Sequence, residues 1–307
     1  MLKALRQTII KKLWESYSAT NPQVFALEDA LQKKCKQSLI IDHFAIIDLP
    51  GPHTGISYLS QLFSVLGYGI RGNDYLPEKQ NDFLWMAEEG AAAKNAREVL
   101  PQVVVADFRL EALPFEVKKI IEKYASQAAS LPLIENPQES LSTHTAKQLE
   151  QTILTYLKGR DWPLPTLNEF HTVHEFNELL AWVLIHGRKP NHFTLSIHLL
   201  DQFTDLADFN QFIEGELKLP LNHEGGTIKG GREAGIAQSS TIGNLETIQL
   251  ADGSIHLPSG FIEFVWRYPS EEKNEQPALW SDYFTGFVAQ HADNVIESLY
   301  VNKESVV

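Results

Sequence analysis

The chain has 307 residues, 43% of them hydrophobic, and a formal net charge of −13. That length and apolar content build one large domain or two fused halves around a sizeable core. The acidic balance argues against a surface made to neutralise phosphates or dock on anionic lipid, so nucleic acid and membranes are not expected partners. A single cysteine, Cys35, rules out an internal disulfide and a thiolate metal cluster, and points to a reducing cytoplasm. The N-terminus carries charges among its apolar positions and lacks a secretory signal, and no apolar run approaches the length of a membrane span.

Leu2, Leu5, Ile9, Leu13 and Tyr17 recur at helical spacing, and Phe25, Leu27 and Leu31 suggest a second helix after Asn21-Pro22. These make a helical cap over residues 1–37. From Ser38 the pattern changes to SLIIDHFAIIDL, a buried strand. It is followed by GPHTGISYLSQLFSVLGYG, a turn and an amphipathic helix stopped by glycine. Strands are then expected near Tyr75, in NDFLWMA and in PQVVVADFRL. Residues 112–189 read as mainly helical, broken by proline at NPQES and DWPLPT.

The opening order then returns. PNHFTLSIHLL alternates polar His192, Thr194, Ser196 and His198 with apolar Phe193, Leu195, Ile197 and Leu199, as a half-polar strand does. DLADFNQFIEGEL is a helix, GGTIKGG a loop, and SSTIGNLETIQL, SIHLP and FIEFVWRYP are loops and strands, with Ala251-Asp252-Gly253 as a hairpin turn. The chain therefore reads as an α+β single domain, 1–307, holding two strand-helix-strands modules at 38–111 and 190–270. The helical insertion 112–189 lies between them and a helical segment, 271–307, follows. Both modules begin polar-His-Phe, at Asp42-His43-Phe44 and Asn191-His192-Phe193.

Chemistry is expected where polar groups interrupt apolar strands. His43 shares a strand face with Ala45 and Ile47, and Glu263 shares one with Phe261, Val265 and Arg267. A mid-strand carboxylate is costly to bury without a cation or a metal. Arg267, four residues along a strand and roughly 13 Å away, is too far to pair with Glu263 directly. Two histidines and a glutamate on three strands match the ligand set that holds Fe(II) on one side and leaves positions open. Each histidine taken alone reads more readily as a surface or hydrogen-bonded core residue than as a ligand.

Rival motifs are weaker. His171-Thr172-Val173-His174-Glu175 has the wrong order and spacing for a zinc-protease helix. GGTIKGG lacks the ending of a phosphate loop, and no Gly-x-Ser-x-Gly elbow occurs.

The segments LWESYSATNPQ, DHFA, NHFTLSIHLL, FNQFIEGELKLPLN, GGTIKGG, QSST, GFIEFVWRYP and GFVAQHADNVIES, in this order, resemble the 2-oxoadipate dioxygenase/decarboxylase family, also called 2-hydroxyglutarate synthases. That resemblance implies a vicinal-oxygen-chelate (glyoxalase-like) fold, with the two modules forming a curved sheet around a metal. It implies His43, His192 and Glu263 as ligands of Fe(II), with Zn, Ni or Mn as alternatives, and a 2-oxo acid and O2 as small-molecule partners. The reaction it implies converts 2-oxoadipate to 2-hydroxyglutarate and CO2.

One departure bears on the substrate. Where the family has His-x-Ala-x-Arg, this chain reads His43-Phe44-Ala45-Ile46-Ile47, so a carboxylate-binding guanidinium is replaced by isoleucine. Arg267 and then Lys229 are the candidate substitutes, with Thr194, Ser239 and Ser240 as further pocket groups; otherwise the substrate is less polar, with an apolar tail against Ile47. The same scaffold also supports a non-redox metal-dependent lyase, isomerase or hydrolase, or a non-catalytic binding protein. Nothing in the pattern fixes an oligomeric state.

Overall fold

The computed structural model describes residues 1–130, 142–270 and 278–300. The NPQES break and parts of the 271–307 segment lie outside the described residues. In chain order the elements are α1 (Leu2–Thr20), α2 (Pro22–Cys35), β1 (Ile41–Ile47), α3 (Ile56–Val65), β2 (Tyr68–Leu76), β3 (Asn81–Glu88), β4 (Gln102–Phe108) and α4 (Phe115–Ala125). They continue with α5 (Thr143–Tyr156), α6 (Leu167–Phe176), α7 (Glu178–His186), β5 (His192–Ser196), α8 (Leu206–Gly215), β6 (Lys229–Gly231) and β7 (Ile236–Ser240). The last are β8 (Leu245–Gln249), β9 (Ser254–Pro258), β10 (Phe261–Arg267) and α9 (Ala289–Ile296).

Eight strands form one curled sheet in the order β2-β3-β4-β1-β5-β10-β7-β6, and β8 and β9 make a separate hairpin. Its halves repeat each other. In the first, β1 pairs parallel with β4, and β3 and β2 follow antiparallel; in the second, β5 pairs parallel with β10, and β7 and β6 follow antiparallel. β1 and β5 join antiparallel, with Phe44 opposite Phe193 and Ala45 opposite His192. The shared polar-His-Phe opening thus lies along the line about which the halves repeat.

Period-two alternation gives the sheet two buried faces. Phe44, Ile46, Phe193, Leu195, Ile262 and Phe264 point to a core with α1, α2, α3, α5 and α8, in which Phe44 and Phe193 stack with ring centroids 5.1 Å apart. Each such side chain taken from water stabilises the fold by about 1.5–3 kcal/mol. Ile47, Phe83, Ala106 and Phe261 face the other way, toward α4, α6, α7, the β8–β9 hairpin and α9. Among these, α7 is buried on every side, which its sequence ELLAWVLIH foretells. Gly187 ends α7 at φ +67, where an added Cβ would lie 2.1 Å from the Arg160 backbone nitrogen, so only glycine lets the chain turn back into β5.

Two local expectations change. The strand expected through Leu200 ends at Ser196, where Ile197–Leu199 form a 3-10 turn, so His198 leaves the face of His192. GGTIKGG is not wholly loop, because Lys229–Gly231 is the edge strand β6. As expected for a helix without a zinc motif, α6 buries Val173, together with Phe170, and leaves His171 exposed and His174 half-buried.

Asp107 on β4 accepts the Ile56 N–H at the start of α3 at 3.0 Å, and burial pushes its pKa up to about 6. The folded chain therefore binds this proton more tightly than the unfolded chain, and the contribution of Asp107 to stability falls as pH rises from about 4 through 6. Relative to Asp107→Asn, which keeps the acceptor, the native chain should lose up to about 3 kcal/mol between pH 4 and 7. Urea denaturation of both proteins across that range measures the difference; parallel curves would show that Asp107 ionises normally.

Candidate metal centre

The joined halves bring together three side chains distant in sequence. His43 on β1, His192 on β5 and Glu263 on β10 point to the same face, with all three candidate ligand atoms within 4.8 Å of one another. Glu263 Oε2 lies 3.4 Å from His43 Nε2 and 3.1 Å from His192 Nε2, and all three residues are buried. Donors about 2.1 Å from one ion and at right angles to each other would lie about 3.0 Å apart, so the two Glu263–imidazole spacings suit a shared metal ion. The donor set, two imidazoles and a carboxylate, suits a divalent first-row metal.

Each member is fixed from behind. His43 Nδ1 lies 2.8 Å from Asp42 Oδ1, and Asp42 is gripped by Arg267, whose Nε and Nη2 donate to Oδ2 and Oδ1, both at 2.8 Å. Neighbouring residues of a regular strand point to opposite faces; a register irregularity between Ile41 and His43 accompanies the approach of Asp42 to its neighbour. Ser196 Oγ also donates to Asp42. Gln238 on β7 donates to Glu263 Oε1 at 2.5 Å, leaving Oε2 toward the histidines. The Thr194 hydroxyl donates to Glu263 Oε2 at 2.8 Å and sits 3.0 Å from His43 Nε2. His192 stacks on Phe261.

Charge follows this geometry. Burial alone would raise the Glu263 carboxyl, but the charge of His43 and the hydrogen bonds of both histidines outweigh it and hold it well below the usual carboxylate range. Burial opposes charge on His43 too, and there Glu263 and Asp42 prevail, so its pKa goes up. His192, with less compensation, goes down. A proton held on His43 Nε2 occupies a ligand atom, so metal uptake must displace it.

The triad opens on a cavity walled by Ile47, Leu76, Phe83, Val104, Phe287, Val295 and Ile296. Repetition of the halves explains its open side. Two residues beyond His192, Thr194 pairs with Glu263; two beyond His43, Ala45 pairs with Val104. Val104 thus holds the first-half position equivalent to Glu263 and supplies no ligand. Helix α9 and Phe287 cover the cavity, a role the sequence did not indicate.

Of the other expected pocket residues, one is in the cavity wall and the rest are placed differently. Ile47 lines the cavity as expected, four residues along β1 from His43. Arg267 does not: it is enclosed by Asp42 and the carbonyls of Phe284 and Gly286, because the register of β10, β5 and β1 sets it against Asp42. Lys229 is buried and donates to the Asn222 carbonyl. Ser239 turns to Asn210 on α8, on the opposite side of the sheet, and Ser240 bonds Ser298. His198 packs edge-on against Tyr283, away from the cavity. Sequence reading missed Asp42, Gln238 and Asn191, although Asp42 and Asn191 stand in the repeated polar-His-Phe opening.

A model of the 2-oxoadipate dioxygenase/decarboxylase family matches residues 6–269 of the chain. The chain belongs to this family. It is 26% identical over 305 residues to the chloroplastic/amyloplastic 2-oxoadipate dioxygenase/decarboxylase of Oryza sativa subsp. japonica, covering 95% of this chain and 78% of the relative. The Oryza sativa hydroxyglutarate synthase, solved in complex with 2-oxoadipate, shares the fold at TM-score 0.80 and 24% identity, over 97% of this chain and 93% of that one. A protein from Ralstonia eutropha JMP134 assigned to the glyoxalase superfamily also shares it, at TM-score 0.75 and 17% identity over 93% and 86% of the two chains. The α+β, glyoxalase-like architecture expected for the family is therefore the one this member has.

Proposed function

We propose that this member of the 2-oxoadipate dioxygenase/decarboxylase family is an Fe(II)-dependent enzyme that oxidatively decarboxylates a 2-oxo acid with O2. The observation that carries this reading is the buried His43, His192 and Glu263 set facing an apolar cavity, with Val104 where a fourth protein ligand would stand. Overall, the bond between C1 and C2 breaks and CO2 leaves. One oxygen atom of O2 completes a new carboxylate at the former C2, and the other enters a C–H bond at C3. The product is a 2-hydroxy acid one carbon shorter, which for 2-oxoadipate is 2-hydroxyglutarate.

Bound Fe(II) supplies the redox chemistry. His43, His192 and Glu263 would hold it, Asp42 and Arg267 fix the ring of His43, and Gln238 and Thr194 orient Glu263. Phe287, Val295 and Ile296 give the cavity an apolar wall on the side of α9.

Oxygen uptake by protein reconstituted anaerobically with Fe(II) tests the reading against a panel of 2-oxo acids. Substrate-dependent uptake matched by CO2 release is expected. Turnover without oxygen when loaded with Zn, Ni or Mn would replace the reading with a non-redox one.

A further inference from the structure

The cavity beside the triad has no lysine or arginine in its wall among the described residues. Among the described residues, Arg267 is engaged by Asp42, Lys229 by the Asn222 carbonyl, and Lys79 by Asp293 and Glu297. Ile47, Phe83, Val104, Phe287, Val295 and Ile296 would surround the tail of anything bound at the triad. The cavity measures about 50 Å³, room for only a few water-sized groups. A carboxylate at that end of a substrate would be desolvated with no counter-ion, a penalty large enough to change affinity by about a hundredfold or more.

A second observation concerns the other end of the ligand. Asn191 lines the same cavity, directly before His192, and is fully buried. Its backbone is held in the sheet, the N–H by the Ala45 carbonyl and the carbonyl by the Phe261 N–H. Neither Nδ2 nor Oδ1 of its side chain has a hydrogen-bond partner among the described residues. A buried carboxamide with both polar atoms unmatched is costly unless a ligand completes it. Its Nδ2 is an uncharged donor suited to an oxygen of a 2-oxo acid lying against the triad.

We infer that the substrate is a short 2-oxo acid with an uncharged, apolar tail, and that Asn191 binds its 2-oxo acid head. This rests on the 2-oxo acid reading of the site and narrows it away from the dicarboxylic acid after which the family is called. The C3–H bond that the reaction needs is present in such acids, so the chemistry is unchanged and only the tail differs.

The decisive comparison is 2-oxohexanoate against 2-oxoadipate, which have the same number of carbons and differ at the tail as methyl against carboxylate. With Fe(II)-loaded protein, two quantities are read: kcat/KM from oxygen uptake, and the dissociation constant from anaerobic calorimetry. The uncharged acid should lead by about a hundredfold in both, and Ile47→Arg should reverse the order by placing a cation at the tail. Asn191→Leu, with its metal content unchanged, should weaken binding of 2-oxohexanoate by about tenfold or more.

Equal affinity, or preference for 2-oxoadipate by the native chain, would overturn the tail assignment and leave the dioxygenase reading standing. Binding in the expected order without oxygen uptake would support the assignment and overturn that reading. No binding or uptake of any 2-oxo acid by metal-loaded protein would overturn both. An unchanged dissociation constant in Asn191→Leu would remove Asn191 from the head.

Discussion

Glu263→Ala protein should no longer retain a stoichiometric divalent metal ion. Glu263 contributes the anionic donor of the cluster, and its Oε2 is the atom within 3.1 and 3.4 Å of the two imidazoles. Alanine leaves two histidines, one of which, His43, also loses the charge that opposed its desolvation. We expect affinity for Fe(II) or Zn(II) to fall more than a hundredfold, beyond the 10–100-fold typical of losing a group that merely supports a ligand.

The fold should survive this change. Removing Glu263 leaves Gln238 Nε2 and Thr194 Oγ1 without their acceptor, at about 1–3 kcal/mol each, but also takes a costly charge out of the interior. Metal content after anaerobic loading and desalting, alongside thermal unfolding of the metal-free protein, separates the two effects. One ion per chain in the folded variant would remove Glu263 from the site.

Arg267→Ala should be the more damaging substitution for stability. The guanidinium is wholly buried, holds both oxygens of Asp42, and ties the carbonyls of Phe284 and Gly286 to the sheet. Asp42 is held well below the usual carboxylate range against the cost of burial, chiefly by the charge of Arg267. Without it an anion stays buried with only partial compensation, and breaking a buried pair from one side typically costs about 3–5 kcal/mol.

The damage should reach the metal as well, because Asp42 orients His43. A 10–100-fold loss of metal affinity is expected on top of the lower stability. Denaturant unfolding of the metal-free variant gives the first quantity and competition with a chelator the second. A stability loss below about 1 kcal/mol would show that the pair is solvated rather than buried. If the variant does not fold, Asp42→Asn, which keeps shape and an acceptor for Arg267, isolates the effect on the metal.

Much of this arrangement could be read from alternation alone. In β1 and β10, apolar residues alternate around His43 and Glu263, so the faces of those side chains were fixed by the period of two, and the mid-strand carboxylate was conspicuous because burying it is costly. The repeated polar-His-Phe opening marked the two strands that meet at the centre of the sheet. Such patterns are local. They state which way a side chain points from its own strand, but not what lies opposite.

Partners are set by cross-strand register, and there the linear reading failed. Arg267 looked like a free cation for substrate because it shares a face with Glu263; in the folded chain β10 lies beside β5 and β5 beside β1, which sets it against Asp42. The approach of Asp42 to His43 coincides with an irregularity in pairing that no alternation rule encodes. His198 fell off the expected face because the strand gives way to a 3-10 turn after Ser196.

The sequence by itself pointed to the composition of the candidate centre, two imidazoles and one carboxylate on apolar strands, and put isoleucine at position 47 on the face of His43. Burial cost and side-chain period are properties of residues and their immediate neighbours, so they survive without coordinates. Only the tertiary structure decided that Val104 leaves the fourth side open, that Arg267 serves Asp42, that Asn191 faces the cavity unmatched, and that α9 covers it. Each of these depends on elements far apart in the chain meeting in one register, and that register is fixed by the packing of the whole sheet.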